Sequence, residues 1–241
     1  MTPNVNPPKQ PAPRAILFDL DGTLADTAPD LAAAVHVLQS NAGMAPTEYA
    51  LLRPVASAGA RGIIGVAFGL KPGDDGYEAL RIAFLDNYAA DLMVHSSLFH
   101  GVKDMLNELQ QLGLGWGVVT NKAARFTDPL IPLIGLHDAG CVVCGDTTPH
   151  AKPHPAPLFE AARRMSLAPE ECWYVGDDLR DIEAGRAAGM VTVACAWGYC
   201  GPVEPQSWGA DYLLDSPQAL MALVRSVLQQ AQSADAALSL A

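Results

Sequence analysis

Short apolar runs alternate with longer amphipathic stretches along most of this chain, and this rhythm limits the folds open to it. The candidate strands are Ala15–Asp19, Trp116–Thr120, Cys141–Cys144, Trp173–Gly176, Val191–Ala194 and a weaker Tyr212–Leu214. Between them lie helical patterns at Val102–Leu112, Ala124–Ile134, Pro155–Met165, Leu179–Ala188 and Pro217–Gln229. Strands that alternate with helices build a doubly wound parallel sheet with helices on both faces, so the fold class is α/β. One segment breaks the rhythm. From about Ala28 to Ser97 there is no convincing strand, only helical pieces at Pro29–Asn41, Ala60–Phe68 and Tyr77–Leu92. A helical insert directly after the first strand reads as a small cap. The expected organisation is a Pro-rich disordered tail over 1–13, a core over 14–27 and 98–229, a helical cap over 28–97 that sets substrate specificity, and a weakly helical or disordered C-terminal tail over 230–241.

Composition narrows the partners. The 241 residues suffice for one substantial domain plus a small insert. A formal charge of −11 argues against nucleic acid and against an anionic membrane surface. The opening "MTPNVNPPKQPAPR" has no apolar core of a secretory signal, and no uninterrupted apolar run approaches bilayer-spanning length. Five scattered cysteines suit a reducing cytoplasm better than a disulfide framework. Cys141 and Cys144 form a C-x-x-C, but on a strand they point to opposite faces and no second ligand pair accompanies them. They read as core.

In a parallel sheet, ligands bind beyond the carboxyl ends of the strands. The first candidate strand ends in Asp19, with Asp21, Gly22 and Thr23 following. The second ends in Thr120 and Asn121, Lys152 follows the third, and the fourth ends in Asp177 with Asp178 and Asp181 close by. A parallel arrangement brings these groups to one edge. Carboxylates crowded together raise one another's pKa unless a cation sits among them, and hard oxygen ligands beside a phosphate select Mg²⁺. A threonine hydroxyl, a lysine and the N–H groups of the turn after Asp21 can cradle phosphoryl oxygens. One aspartate can then act as nucleophile, and a second carboxyl two residues on can move the proton. These groups together suggest metal-assisted phosphoryl transfer through an acyl phosphate.

Four ordered stretches carry a resemblance: "DLDGT" at Asp19–Thr23, "VVTNK" with Thr120, "AKPHP" around Lys152 and "GDDLRD" at Gly176–Asp181. They resemble the four motifs of the haloacid dehalogenase-like (HAD) phosphatases, and the similarity runs from about Arg14 to Pro202. The resemblance implies a HAD-like Rossmannoid core. It also implies Asp19 as nucleophile and Mg²⁺ ligand, and Asp21 as general acid/base that binds the metal through its backbone carbonyl. Thr120 and Lys152 would hold the phosphoryl group, helped by Gly22, Thr23 and Asn121. Asp177 would bind the metal directly, with Asp178 and Asp181 sharing a supporting role because "GDDLRD" satisfies more than one version of the motif. Asn121 and Asp181 could instead serve as helix-capping or helix-start residues.

The helical insert resembles the cap of the phosphoglycolate phosphatase branch. Dehalogenases of the family lack the second aspartate, so Asp21 points to a phosphatase. The cap contains one lysine, Lys71, in a Pro-Gly turn, which argues against an amine-based Schiff base. Arg61, in "ASAGARGIIG", is suited to hold a substrate carboxylate or could be a solvent-exposed surface arginine. A carboxylate contact fits 2-phosphoglycolate and N-acetylmuramic acid 6-phosphate equally. "GARGIIGVAFGL", "LFHGV" and "AWGYCGPVEPQSWGAD" are similar to the subgroup acting on the muramic acid phosphate in cell-wall recycling. Tyr199 and His95 could line a sugar pocket or simply pack. The expectation is a Mg²⁺-dependent cytoplasmic phosphomonoesterase for a small carboxylated ester, monomer or homodimer. The alternatives are a sugar phosphomutase or a non-catalytic phosphate-binding protein.

Overall fold

The computed structural model describes residues 11–238. Residues 1–10 of the expected N-terminal tail and 239–241 of the C-terminal one lie outside the described residues. The strands are β1 (Ala15–Phe18), β2 (Ala25–Asp26), β3 (Ser97–Leu98), β4 (Gly115–Val119), β5 (Val142–Val143), β6 (Cys172–Gly176), β7 (Val191–Cys195) and β8 (Tyr212–Leu214). The α-helices are α1 (Ala28–Asn41), α2 (Tyr49–Leu52), α3 (Gly59–Phe68), α4 (Tyr77–Ala90), α5 (Val102–Gln111), α6 (Ala124–Leu133), α7 (Ala156–Arg164), α8 (Leu179–Ala187) and α9 (Pro217–Leu238).

Six strands form one sheet in the order β5-β4-β1-β6-β7-β8, and every pairing in it is parallel. All six correspond to apolar runs of the sequence. Alternation along β1 explains the layers. Ile16 and Phe18 enter one buried cluster with residues of α5, α6 and α9, whereas Ala15 and Leu17 enter another with residues of α7 and α8. A strand covered on both faces has no solvent side, which is why it reads as continuously apolar.

The segment between β2 and β3 is helical, and α1, α3 and α4 enclose a third buried cluster around Ile63, Ile64, Phe84 and Tyr88. Two short features there lack a clear sequence signal, α2 and the 3₁₀ turn Arg53–Ala58 that follows it. The stretch Tyr49–Phe68 is long and apolar enough to cross a bilayer by length and composition, although Arg53 and Arg61 interrupt its apolar run. It is folded as helix, 3₁₀ turn and helix, broken at Gly59 (φ 57°), and it packs on α1.

Both ends of the helical segment pass through a two-stranded antiparallel ribbon, with Ala25 opposite Leu98 and Asp26 opposite Ser97. Asp30, buried in the first turn of α1, accepts hydrogen bonds from the backbone N–H groups of Val94, His95 and Ser96 and from the Ser96 hydroxyl. The phenol of Tyr199 accepts from the N–H groups of Thr27 (2.7 Å) and Ala28 (2.9 Å) and donates to Asp26 (3.0 Å). Outgoing and returning chains are thus tied to each other and to the core.

The expected N-terminal tail needs correction where it is described, and of the two forms expected for the C-terminal one it is the helical form that is present. The Pro11 carbonyl accepts a hydrogen bond from the Trp173 indole, and Ala12 packs on the core, so residues 11–13 are not a free tail. Helix α9 continues beyond 229 to Leu238, because "AQSADAAL" contains no helix breaker.

Candidate active site

β1, β4 and β6 are adjacent and parallel, so their carboxyl ends deliver Asp19, Thr120 and Asp177 to one edge. Asp19, with its backbone N–H on the Val175 carbonyl, pairs through Oδ1 with Lys152 Nζ at 2.8 Å. The same Nζ lies 2.7 Å from Asp181 Oδ1 and donates to the Val119 carbonyl (2.9 Å) and the Tyr174 hydroxyl (2.7 Å). Lys152 is buried, and only this ring of oxygens makes a buried ammonium tolerable. Its pKa is raised: burial opposes the charge, but Asp181 and Asp19 outweigh it. Asn121 fixes the Lys152 backbone from both sides, its Oδ1 accepting from the N–H and its Nδ2 donating to the carbonyl, each at 2.9 Å.

Asp177 is fully buried. It accepts from the Thr23 hydroxyl (3.1 Å), the Tyr199 N–H (2.9 Å) and the Ser57 hydroxyl (3.2 Å), the last from the helical segment. Two glycines admit these carboxylates. A Cβ on Gly22 (φ 90°) would lie 2.1 Å from Asp177 Oδ2, and one on Gly176 would lie 2.3 Å from Asp181 Cγ. One oxygen from each of Asp19, Asp177 and Asp181 lies within 4.8 Å of the others. Burial, with Lys152 only partly offsetting it, pushes Asp19 up to about 7, and Asp177 is raised as well by burial and by Asp19. Three buried carboxylates crowded together, with oxygen donors only, fit a hard divalent cation.

Asp21 turns elsewhere. Its Oδ1 accepts from the Thr27 hydroxyl and pairs with Lys122 Nζ at 2.8 Å. Lys122 is almost buried, with its ammonium 4.7 Å from the centre of the Tyr88 ring of α4. Burial disfavours its charge, yet Asp21 holds its pKa above the ordinary value.

A cavity of about 660 Å³ opens between sheet edge and helical segment. Asp19, Asp21, Thr120, Asn121, Lys152, Asp178, Asp181 and Arg61 all line it. Gly22 and Thr23 do not: Gly22 lies against Asp177, and the Thr23 hydroxyl is engaged by that carboxylate. Asp177 lies beneath the cavity surface. Asp181 joins the carboxylate cluster, whereas Asp178 caps α8 and pairs with Arg180 (2.7 Å), which also reaches the Ser57 carbonyl (2.8 Å). Asn121, for which helix capping was the alternative, instead clamps the Lys152 backbone. His95 is exposed and Tyr199 is buried in the ribbon contact, and neither borders the cavity.

Sequence reasoning missed Lys122, Tyr174 and Ser57. Lys122 stood within the quoted "VVTNK", a third polar residue past a strand end. Tyr174 looked like one more aromatic of a buried strand. Ser57 carried no signal.

Comparison with known proteins follows the same geometry. A family model described as haloacid dehalogenase-like hydrolase matches residues 16–195. An N-acetylmuramic acid 6-phosphate phosphatase of Pseudomonas putida is 43% identical over 217 residues, 89% of this chain and 97% of that protein. A phosphoglycolate phosphatase of Xanthomonas campestris pv. campestris is 47% identical over 210 residues, covering 86% and 95%. Among solved structures, a predicted phosphoglycolate phosphatase from Haemophilus somnus superposes with a TM-score of 0.78 at 26% identity, covering 88% of this chain and 98% of that one.

Proposed function

The chain belongs to the haloacid dehalogenase-like hydrolases, and from that premise we propose that it is a Mg²⁺-dependent phosphomonoesterase working through a phosphorylated Asp19. The observation that carries this reading is the division of labour between two carboxylates two residues apart. Asp19 sits on the cavity floor against Lys152, while Asp21 has separate partners in Thr27 and Lys122.

Lys152, Thr120 and the turn N–H groups orient the phosphoryl group with phosphorus facing Asp19. An Asp19 oxygen forms the new bond to phosphorus as the ester P–O bond breaks, and the departing oxygen takes a proton from Asp21. Asp21 then removes a proton from water, the resulting hydroxide attacks phosphorus, and the bond to Asp19 breaks to release orthophosphate. Asp19 and Asp177 would hold Mg²⁺ with the Asp21 carbonyl, Asp181 supporting them, and the ion supplies neutralising charge at the phosphoryl oxygens. The apolar side of the cavity, with Leu31, Phe84, Leu85 and Tyr88, excludes water from the acyl phosphate.

The substrate read from the cavity is a small carboxylated phosphate ester held through Arg61. About 660 Å³ is more than a two-carbon acid fills, so N-acetylmuramic acid 6-phosphate suits it better than 2-phosphoglycolate. Hydrolysis of p-nitrophenyl phosphate in Mg²⁺ and in EDTA tests the reaction class. Turnover should require Mg²⁺, and Asp19→Asn should lower it by about three orders of magnitude or more without unfolding the protein. Metal-independent turnover, or a near-normal Asp19→Asn enzyme, would refute the reading.

A further inference from the structure

Four arginines border the cavity, and two of them have work to do within the protein. Arg81 pairs with Glu78 on α4, and Arg180 pairs with Asp178 and reaches Ser57. Among the described residues, Arg61 and Arg125 have neither an acidic partner nor a hydrogen bond. Such idle cations are unexpected where acidic residues outnumber basic ones by 26 to 15. The two stand on different parts of the fold, Arg61 on α3 of the helical segment and Arg125 on α6 of the core.

Arg125 is also held ready. Its guanidinium carbon lies 4.4 Å from the centre of the Phe126 ring, a cation–π contact that fixes the plane of the fork and leaves its N–H edges free. Phe126 is buried, and its ring lies 5.5 Å from that of Tyr88 on α4. The platform is thus anchored by the helical segment as well as by the core. A planar donor fork with no protein acceptor, at the wall of a substrate cavity, matches a planar anion.

We propose that Arg125 is a specificity-determining residue that binds the substrate's carboxylate from the core side while Arg61 binds it from the cap side. This rests on the phosphatase reading above and deepens it. The substrate is then a phosphate ester whose carboxylate stands a sugar ring's width from phosphorus, and that carboxylate bridges the two halves of the cavity.

N-acetylmuramic acid 6-phosphate and N-acetylglucosamine 6-phosphate differ only in the lactyl ether that bears the carboxylate, so they form the test pair. The wild type should favour the former in kcat/KM by about tenfold or more, the value of one charge-assisted hydrogen-bonded contact. Arg125→Ala and Arg125→Gln should each erase most of that preference, mainly through KM. The Arg61→Ala/Arg125→Ala double variant should lose scarcely more than the worse single variant, since one carboxylate serves both. A wild type that treats the two sugars alike overturns the proposal without needing any variant. So do equal losses on both sugars, or losses that multiply in the double variant. If p-nitrophenyl phosphate is still hydrolysed, only the carboxylate clamp has failed; if nothing is hydrolysed with Mg²⁺ present, the phosphatase reading falls too.

Discussion

Asp19 shows how much a single position can be asked to do. It is buried, yet in the proposed reaction it must be ionised to attack. Burial and its carboxylate neighbours raise its pKa to about 7, with Lys152 opposing. Without metal, the folded protein therefore keeps a proton on Asp19 that the unfolded chain releases above the ordinary value of 3.8. Stability is then greatest at the acid side of that interval and is lost as pH rises through about 7. In EDTA the melting temperature should be lower at pH 8 than at pH 5.5, and Mg²⁺ should raise it more at pH 8. Each kcal/mol corresponds to roughly 2–4 °C in a protein of this size. Asp19→Asn should weaken the dependence; an unchanged slope would show that Asp19 is not its source. At this scale the sequence was only half legible. Asp19, Asp21, Lys152 and Asp177 announced themselves as polar residues at strand ends. Their partners did not: Tyr174 lies inside a buried strand, and Lys122 and Ser57 meet their carboxylates only through tertiary contact.

Among the elements, length decided what could be read. β1, β4, β6 and β7 are apolar runs flanked by helices, so periodicity found them. β2 and β3 have two residues each, too few for any period, and exist because the sheet edge and the helical segment bring them together. The four-residue α2 and its 3₁₀ continuation, with Pro54 at the start of the latter, are similarly too short. The end of β6 is where element and site constrain each other most. Gly176 terminates the strand, and Asp181 from the first turn of α8 occupies the space a side chain would need. Gly176→Ala should cost about 1–3 kcal/mol through overpacking and should lower turnover further by displacing Asp181 from Lys152. Urea unfolding together with p-nitrophenyl phosphate kinetics checks both, and an Ala variant with wild-type midpoint and rate would contradict the account.

For the molecule as a whole, function depends on how the helical segment is held against the sheet edge. Asp30 gathers the returning chain, Tyr199 caps the outgoing one, and Ser57 reaches a site carboxylate across the cavity. Asp30→Asn substitutes an amide for one acceptor oxygen and leaves donor facing donor. The amides of Val94, His95 and Ser96 should then exchange with solvent about tenfold faster or more, with the core strands unaffected. Unchanged exchange at those three amides would show that Asp30 does not secure the return. The paired crossing of β2 and β3 has a wider consequence. The chain leaves the core and re-enters it at neighbouring points, so everything between is a detour whose two ends already touch. A tight turn from Asp26 to Ser97 would bridge the gap and leave all six strands of the main sheet in register. The polypeptide is therefore built so that whatever the helical segment contributes to substrate choice can be exchanged by trading one detour for another, while the sheet edge and Arg125 beneath stay as they are.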